Sequence, residues 1–501
     1  MSGTDRLVPR FLSLFGSKAV STLIAIVSTP IVARLLGAGG YGDYAVLLSI
    51  YSLYMIPISA AVTEGLQKFV AEEREEDHWR ERVIRFYFLL GLGLVLVGVV
   101  VLAAFTWLGL AERLFGPSFT TYFYLLVGFV FVGQFRAIGD HTVLGFGLEH
   151  VSGPLGVLKK GGTVGVGIAV VVTAGLGVTG MLIGHIVANA VVFLVAAVVV
   201  LRRVSVRALV RPAGSPPYRT LLSFSGLNVV LILLVMSLFH VDVVMVRALV
   251  GSDETGYYKA ALSMAEYLWI VPIVLQSLLL HSSSTLWSNE DHAAITALAS
   301  RVTRYTTLLV LLMGVGLATM AHRVVPLYYG QAFAVATGPL LLLLPGAAGF
   351  AVARPLQAIC QGSGRLKPLL AATGVAAAVN AGLNAALIPR FGMYGAAVAT
   401  SVGYGSMFVL LVRVAHRLGY DPLADFRPLR IAATVAVAAG PIYLVDAALT
   451  ADAVALVVVP PLGGAVFLGA AFLTGALDRD EVADVLGRLP EPLDAAAGFV
   501  R

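Results

Sequence analysis

Fourteen apolar stretches in close succession leave this chain few ways to fold. They run at 11–36, 43–70, 84–110, 119–147, 154–175, 178–201, 220–250, 256–284, 303–325, 333–360, 367–389, 392–415, 429–449 and 452–476. Each reaches or exceeds the roughly 20 residues that carry an α-helix across a bilayer core, and none shows the short alternation of a membrane β-barrel. Charged residues make up 12% of the chain and hydrophobic residues 58%, whereas about a quarter of a soluble domain is charged. Helices satisfy their own backbone hydrogen bonds, so the expected fold class is an all-α integral membrane protein of about 14 transmembrane helices. The first stretch stays apolar as far as Arg34, beyond a signal's apolar region, and no small-residue cleavage site precedes the next, so it reads as a retained helix.

The formal charge of +6 then reports orientation and not nucleic-acid binding. With the N-terminus inside, 26 of the 34 Lys and Arg fall in inner segments, Lys159 and Lys160 among them, and six fall in outer ones. The positive-inside rule therefore places both termini in the cytoplasm of a multi-pass cell-membrane protein. A single cysteine, Cys360, rules out an internal disulfide, a cysteine cluster for zinc and an iron–sulfur centre, so neither metal nor cofactor is expected.

A duplication organises the order of the helices. ARLLGAGGYGDYAVLLS (Ala33 to Ser49) returns, worn, as VRALVGSDETGYYKAALS (Val246 to Ser263), with Arg34, Gly42 and Tyr44 falling on Arg247, Gly256 and Tyr258. Leu114 to Phe119 recurs at Leu327 to Phe333, and GVTG at Gly177 recurs as GMYG at Gly392, all at an offset of about 214 residues. That period is too long for a solenoid and implies two similar lobes, 1–201 and 220–418, each of six helices. Six helices per copy give both copies the same orientation, so a pseudo-two-fold along the membrane normal is expected. Residues 202–219, RRVSVRALVRPAGSPPYR, form a linker expected to lie on the inner membrane surface. Two extra helices follow at 419–476, and 477–501 is a cytoplasmic tail. The charged connector Ala71 to Arg85 reads as a solvated helical extension, and Pro30 predicts a kink near the outer end of the first helix. The glycines of the fifth and sixth stretches, such as Gly161, Gly162, Gly165, Gly167, Gly175 and Gly177, read as close helix contacts.

Ionisable groups at membrane depth are costly and mark candidate sites. The fourth stretch carries Gln134, Arg136, Asp140 and His141; Arg136 and Asp140 share a face, so they either neutralise each other or serve a ligand. The tenth carries Arg354, Gln357 and Gln361. Arg354 lies one turn beyond the position equivalent to Arg136, which predicts two arginines facing across the gap between lobes. Arginine grips phosphate bidentately, so an anionic ligand is one reading; the other is that Arg354 serves carbonyls freed by Pro355. Asn380 and Asn384 share a face and suit either sugar hydroxyls or interhelical bonds. His240 and Asp242, two residues apart, do not form a dyad, and Asp446 is expected too near the outer surface to matter. Glu64, Asp140, Asp242 and Glu266 are the candidate acids for coupling to a proton or sodium gradient.

Motifs for a zinc peptidase, a serine hydrolase or a P-loop are missing, so an ATP-driven or hydrolytic chain is not expected. ARLLGAGGYGDYAVLLS, LYYGQAFAVATGPLLLLL and GRLKPLLAATGVAAAVNAGLNAALIPRFGMYGAAVAT resemble the polysaccharide and oligosaccharide flippases of the multidrug/oligosaccharidyl-lipid/polysaccharide exporter superfamily. The resemblance covers about Arg10 to Leu418. It implies two lobes around a cavity that carries a polyprenyl-linked glycan from the inner to the outer leaflet, with membrane lipids and glycan-assembly proteins such as glycosyltransferases as partners. By position, Arg136 and Arg354, and less closely Lys18, would hold the lipid phosphate, while the second and eighth helices offer Glu64 and Glu266 where arginines would suit. A cation-coupled drug or metabolite exporter of the same superfamily is the alternative, followed by a membrane glycan polymerase or ligase.

Overall fold

The computed structural model of the chain describes residues 4–72, 74, 78–210, 218–223, 226–478 and 481. Among these every regular element is helical, and twelve stretches are long and apolar enough to cross a membrane. Two of the twelve are pairs of spans joined at a glycine, Gly37 (φ 67°, ψ 176°) and Gly392 (φ 56°, ψ −135°). Fourteen helices result: α1 (4–36), α2 (38–71), α3 (Trp79–Trp107), α4 (Ser118–Gly145), α5 (Glu149–Ala174), α6 (Gly177–Leu201) and α7 (Gly226–Leu249). The rest are α8 (Ser252–Ser288), α9 (His292–Tyr329), α10 (Thr337–Gly362), α11 (366–391), α12 (393–418), α13 (Pro428–Ala448) and α14 (Asp452–Leu473).

The duplication is written into the backbone. Gly116 and Gly330 share φ values of 98° and 103°, and Gly177 and Gly392 share 48° and 56°; only glycine adopts such angles without strain. Helices α2 and α8 also lose regular geometry at similar positions along the two repeat copies, as a π turn at Ile56–Ala60 and a 3-10 turn at Glu266–Trp269. Pro57 and Pro272 stand at these breaks, each lacking a backbone donor. Helix α1 continues through Pro30 and breaks at Gly37, where the first apolar stretch ends. A proline tilts a helix, whereas a glycine with positive φ ends one.

By its contacts the chain forms two compact units, Met1–Lys259 with Ala385–Met393, and Ala260–Asn384 with Tyr394–Arg501. Unit 1 holds the first copy of the duplicated stretch and the second as far as Lys259, and the two meet backbone to backbone. A Cβ on Gly42 would lie 2.1 Å from the Ser252 carbonyl oxygen, and one on Gly256 would lie 2.0 Å from that of Ala38. The opposite end of unit 1 is an apolar core of Val62, Leu66, Phe69, Trp79, Val83 and Tyr87 with residues of α4 to α6.

The described part of the 202–219 linker packs on unit 1: Val204, with Leu221 just beyond the linker, belongs to that same core, and Ala208 is buried. Glu81 accepts from the Ser205 amide (3.1 Å), Arg85 donates to the Leu209 carbonyl (3.4 Å) and Tyr87 to that of Leu221 (2.9 Å). Val206 of the same segment is exposed; Pro216 and Pro217 lie outside the described residues. The Ala71 to Arg85 connector is not a continuous helix either. Helix α2 stops at Ala71 and α3 starts at Trp79, with Arg74 stacked 4.0 Å from the Trp79 ring. In unit 2, α13 and α14 pack on α9 through Leu308, Met320, Ile431, Ile442, Val459 and Phe467.

Candidate functional site

Helix α4 carries Arg136 and Asp140 on one face, as their four-residue spacing requires, and the two form an ion pair. The guanidinium also donates to the Tyr51 hydroxyl of α2. Gly133 makes room for that phenol, since a Cβ there would lie 2.2 Å from the Tyr51 oxygen. Tyr51 stacks on Phe129 with centroids 3.8 Å apart. Gln134 is fully buried and donates to the Ile58 carbonyl (3.3 Å), inside the irregular turn of α2. His141 bonds Gln67 at 3.0 Å.

Two cations join Arg136 that the charge tally had assigned to an inner connector. Lys159 and Lys160 are the eleventh and twelfth residues of α5, which begins at Glu149 and runs through Pro154. They therefore stand about 15 Å along the helix. Lys159 is within electrostatic reach of Arg136, Asp140 and Lys160, and His185 of α6 is within reach of both lysines. His185 bonds the Tyr44 hydroxyl (2.8 Å) and lies 4.7 Å from the Phe129 ring. The charge tally counts both lysines with the inner segments although they fall inside the 154–175 stretch; a polar pair directly before Gly161-Gly162 was the available signal. The result is a cluster of three cations and a carboxylate walled by aromatic rings, which can hold an anion.

Arg354 belongs to unit 2. Its guanidinium lies 4.8 Å from the Trp269 ring and 5.0 Å from the Phe350 ring, a cation–π placement. Nη1 donates to Gln276 (3.2 Å), and Gln276 donates to Gln357 (3.5 Å). Among the described residues the bond goes to that amide and not to a carbonyl freed by Pro355, while the buried Nε has no hydrogen-bond partner. Trp269 is itself fixed by a 2.9 Å bond to the Ala347 carbonyl.

The remaining candidates are placed as follows. Asn380 and Asn384 are buried; Asn384 donates to Asn380 (3.2 Å), and Asn380 donates to Thr400 of α12 (3.3 Å), so the amides tie α11 to α12. Asp242 is fully buried and accepts from the Tyr258 hydroxyl, while His240 faces Ser49 at 3.2 Å; the two make no dyad. Glu64 and Glu266 are half-buried on α2 and at the 3-10 turn of α8, and Lys18 is exposed on α1. Asp446 is buried and paired with Arg323 at 3.0 Å. A charged knot near Gly37 was not foreseen. Asp43 accepts from Arg247 (2.6 Å) and Ser252 (2.8 Å), Arg247 also donates to the Phe115 carbonyl, and Glu254 accepts from the Met393 amide (2.9 Å). Unit 2 contains an apolar cavity of about 510 Å³ lined by Met264, Leu312, Met320, Ile442, Val459 and Gly464 among others.

Fold and side chains together define a multi-pass helical membrane protein with the architecture of multidrug/oligosaccharidyl-lipid/polysaccharide transporters. A lipid II flippase MurJ in an inward closed conformation superposes with a TM-score of 0.77 at 13% identity, covering 95% of this chain and 100% of that one. An inward-facing multidrug-resistance transporter of the same superfamily gives 0.69 at 15% identity over 79% of this chain and 94% of that one. A superfamily transporter from Pyrococcus furiosus, whose binding pocket is described as reversed in polarity, gives 0.57 at 16% over 81% and 94%. These likenesses are of fold. Comparison with curated proteins by sequence finds no match. Residues 31–337 match the family described as polysaccharide biosynthesis protein, and the chain belongs to that family.

Proposed function

We propose that this protein is a flippase that moves a polyprenyl-phosphate-linked oligosaccharide from the inner to the outer leaflet of the cell membrane by alternating access. The observation that carries the reading is the half-buried cation cluster of Arg136, Lys159 and Lys160 in unit 1. Positive charge at membrane depth calls for an anion, and a lipid-linked phosphate supplies one where a cationic drug would be repelled. Arg354, beside the touching Trp269 and Phe350 rings and with a buried Nε that has no hydrogen-bond partner, is a second phosphate or sugar contact. The apolar cavity of unit 2 suits the start of the prenyl chain. Both termini are cytoplasmic in this reading, and glycosyltransferases deliver the substrate at the inner face. The coupling acid is Asp140, which is already paired to the site's arginine.

The test is binding to purified protein. Inorganic diphosphate and a short-chain prenyl diphosphate should protect the wild type against thermal unfolding, and Arg136→Gln with Lys159→Gln should lose about tenfold or more in affinity. Ethidium binding without diphosphate binding would reject the reading in favour of a cation exporter, and glycan polymerisation by the purified protein would reject it in favour of an enzyme.

A further inference from the structure

The ion pair of Arg136 and Asp140 is one-armed. Nη1 of the arginine donates to Oδ2 of the aspartate, while the arginine Nε and the aspartate Oδ1 are buried with no hydrogen-bond partner among the described residues. A fork-to-fork arginine–carboxylate pair would use two nitrogens and two oxygens. Each of the two side chains keeps 17% of its surface exposed, so a ligand can reach the pair. The cations beside it have bonding capacity to spare. Among the described residues neither Lys159 nor Lys160 makes a hydrogen bond or an ion pair, and the buried Nδ1 of His185 has no hydrogen-bond partner either. Buried polar groups are normally satisfied, so this many unmet donors in one place calls for an acceptor.

The packing around the pair holds its frame. The guanidinium also donates to the Tyr51 hydroxyl, and Tyr51 is set by its stack on Phe129 and by the space that Gly133 leaves for it. The aspartate end is set by Gly139, where a Cβ would lie 2.9 Å from that of Ala196, so α4 presses on α6 beside the carboxylate. Rotation of the Asp140 side chain is then the short path to opening the pair. Lys159 stays within electrostatic reach of Asp140, so the displaced carboxylate still has a cation nearby.

A tethered carboxylate competes for its arginine at an effective concentration on the order of millimolar or above. A free carboxylate offers Arg136 nothing that Asp140 does not, and it must also give up its own translational freedom, so it loses. A phosphate wins, because its oxygens can take the arginine and, at the same time, the two ammonium groups that Asp140 leaves unused. We propose that Asp140 is a specificity-determining residue, an internal anion tethered to Arg136 that a ligand must displace, so that the site admits phosphates and turns away carboxylates. Specificity of this kind works by penalising the wrong ligand, and a glycan cargo brings that ligand with it wherever its sugars carry carboxylates. The inference deepens the flippase reading: it rests on that reading for the location of the anion site and adds how the anion is chosen.

The experiment is calorimetric titration of the purified full-length protein in lipid nanodiscs with inorganic diphosphate, a short-chain prenyl diphosphate and glucuronate. Wild type should bind both diphosphates and show no saturable binding of glucuronate. Asp140→Asn should bind inorganic diphosphate about tenfold more tightly and should bind glucuronate as well, whereas Asp140→Glu, which keeps a tethered carboxylate, should keep the wild-type preference. Infrared difference spectra of wild type carrying isotope-labelled aspartate give a readout that does not depend on the asparagine variant folding. Diphosphate should shift a labelled carboxylate band as Asp140 leaves the arginine, and that shift should vanish in Asp140→Glu. Unchanged affinity and preference in Asp140→Asn, or diphosphate binding by wild type with no change in the labelled carboxylates, would overturn the inference and leave the flippase reading standing. Binding of inorganic but not prenyl diphosphate, with the band shift, would uphold the displacement and reject the lipid-linked cargo. Wild type that binds neither diphosphate would reject the site and the inference together.

Discussion

At the scale of single residues, glycines show how one residue type serves opposite ends. Gly42 and Gly256 sit where any side chain would overlap backbone, whereas Gly161 and Gly165 face open space. Replacing Gly256 with alanine should therefore cost at least about 1–3 kcal/mol, seen as a lower melting temperature in detergent. Gly161→Ala should leave it unchanged or raise it, since alanine favours helix; equal effects would refute the contact. The sequence marked Gly42 and Gly256 through their equivalence in the repeat. It grouped Gly161 and Gly165 with the packing glycines, because spacing alone does not say which side of a helix meets a neighbour. Gly167 and Gly184 do make such a contact, the Cβ of Gly184 falling 2.7 Å from Gly167.

At the scale of elements, apolar length was enough to count fourteen helices, and the repeat paired glycines that turn out to share backbone angles, Gly116 with Gly330 and Gly177 with Gly392. Partners distant in sequence were not legible. Arg304 and Arg323 read as ordinary interfacial charges, and Asp446 as peripheral, because their partners lie 121 to 177 residues away and no local pattern encodes them. One consequence is a pH dependence where Arg304 of α9 pairs with Asp425 and Glu481. Arg427 holds Asp478 below the usual carboxylate range. Burial raises Glu481, but bonds from Arg304 and Tyr305 outweigh it and leave that carboxyl lowered as well. Folded values below unfolded ones mean stabilisation that is complete at neutral pH and lost as pH falls through the carboxylate range. The melting temperature should drop on acidification in the wild type and drop less in Glu481→Gln; parallel curves would contradict it. The knot near Gly37 ties the first repeat copy to the second, Asp43 holding Arg247 and Ser252. Asp43→Asn should weaken the hold on Arg247 and Ser252, raising labelling of a cysteine at Ser252 by a membrane-impermeant maleimide. Labelling no faster than with Asp43 intact would show the carboxylate is not what closes this end.

At the scale of the whole molecule, family and fold set the class, and the charge at membrane depth sets the proposed cargo. Arg136 was readable because it interrupts an apolar run. Lys159 and Lys160 were not, since two adjacent lysines near the start of an apolar stretch read as part of the inner positive charge. The amides of Asn380 and Asn384, read as either sugar contacts or helix ties, are found buried in the seam of α11 and α12. The central claim is transfer of a negatively charged glycolipid across the bilayer. Its most direct test is a proteoliposome assay in which a fluorescent polyprenyl-diphosphate oligosaccharide, once moved, is bleached by a reductant confined to the far side. The account predicts bleaching of the protected pool with wild type and none above empty vesicles with Arg136→Gln/Lys159→Gln, at equal protein incorporation. Transfer by that variant at the wild-type rate, or none by the wild type under any ion gradient, would contradict it.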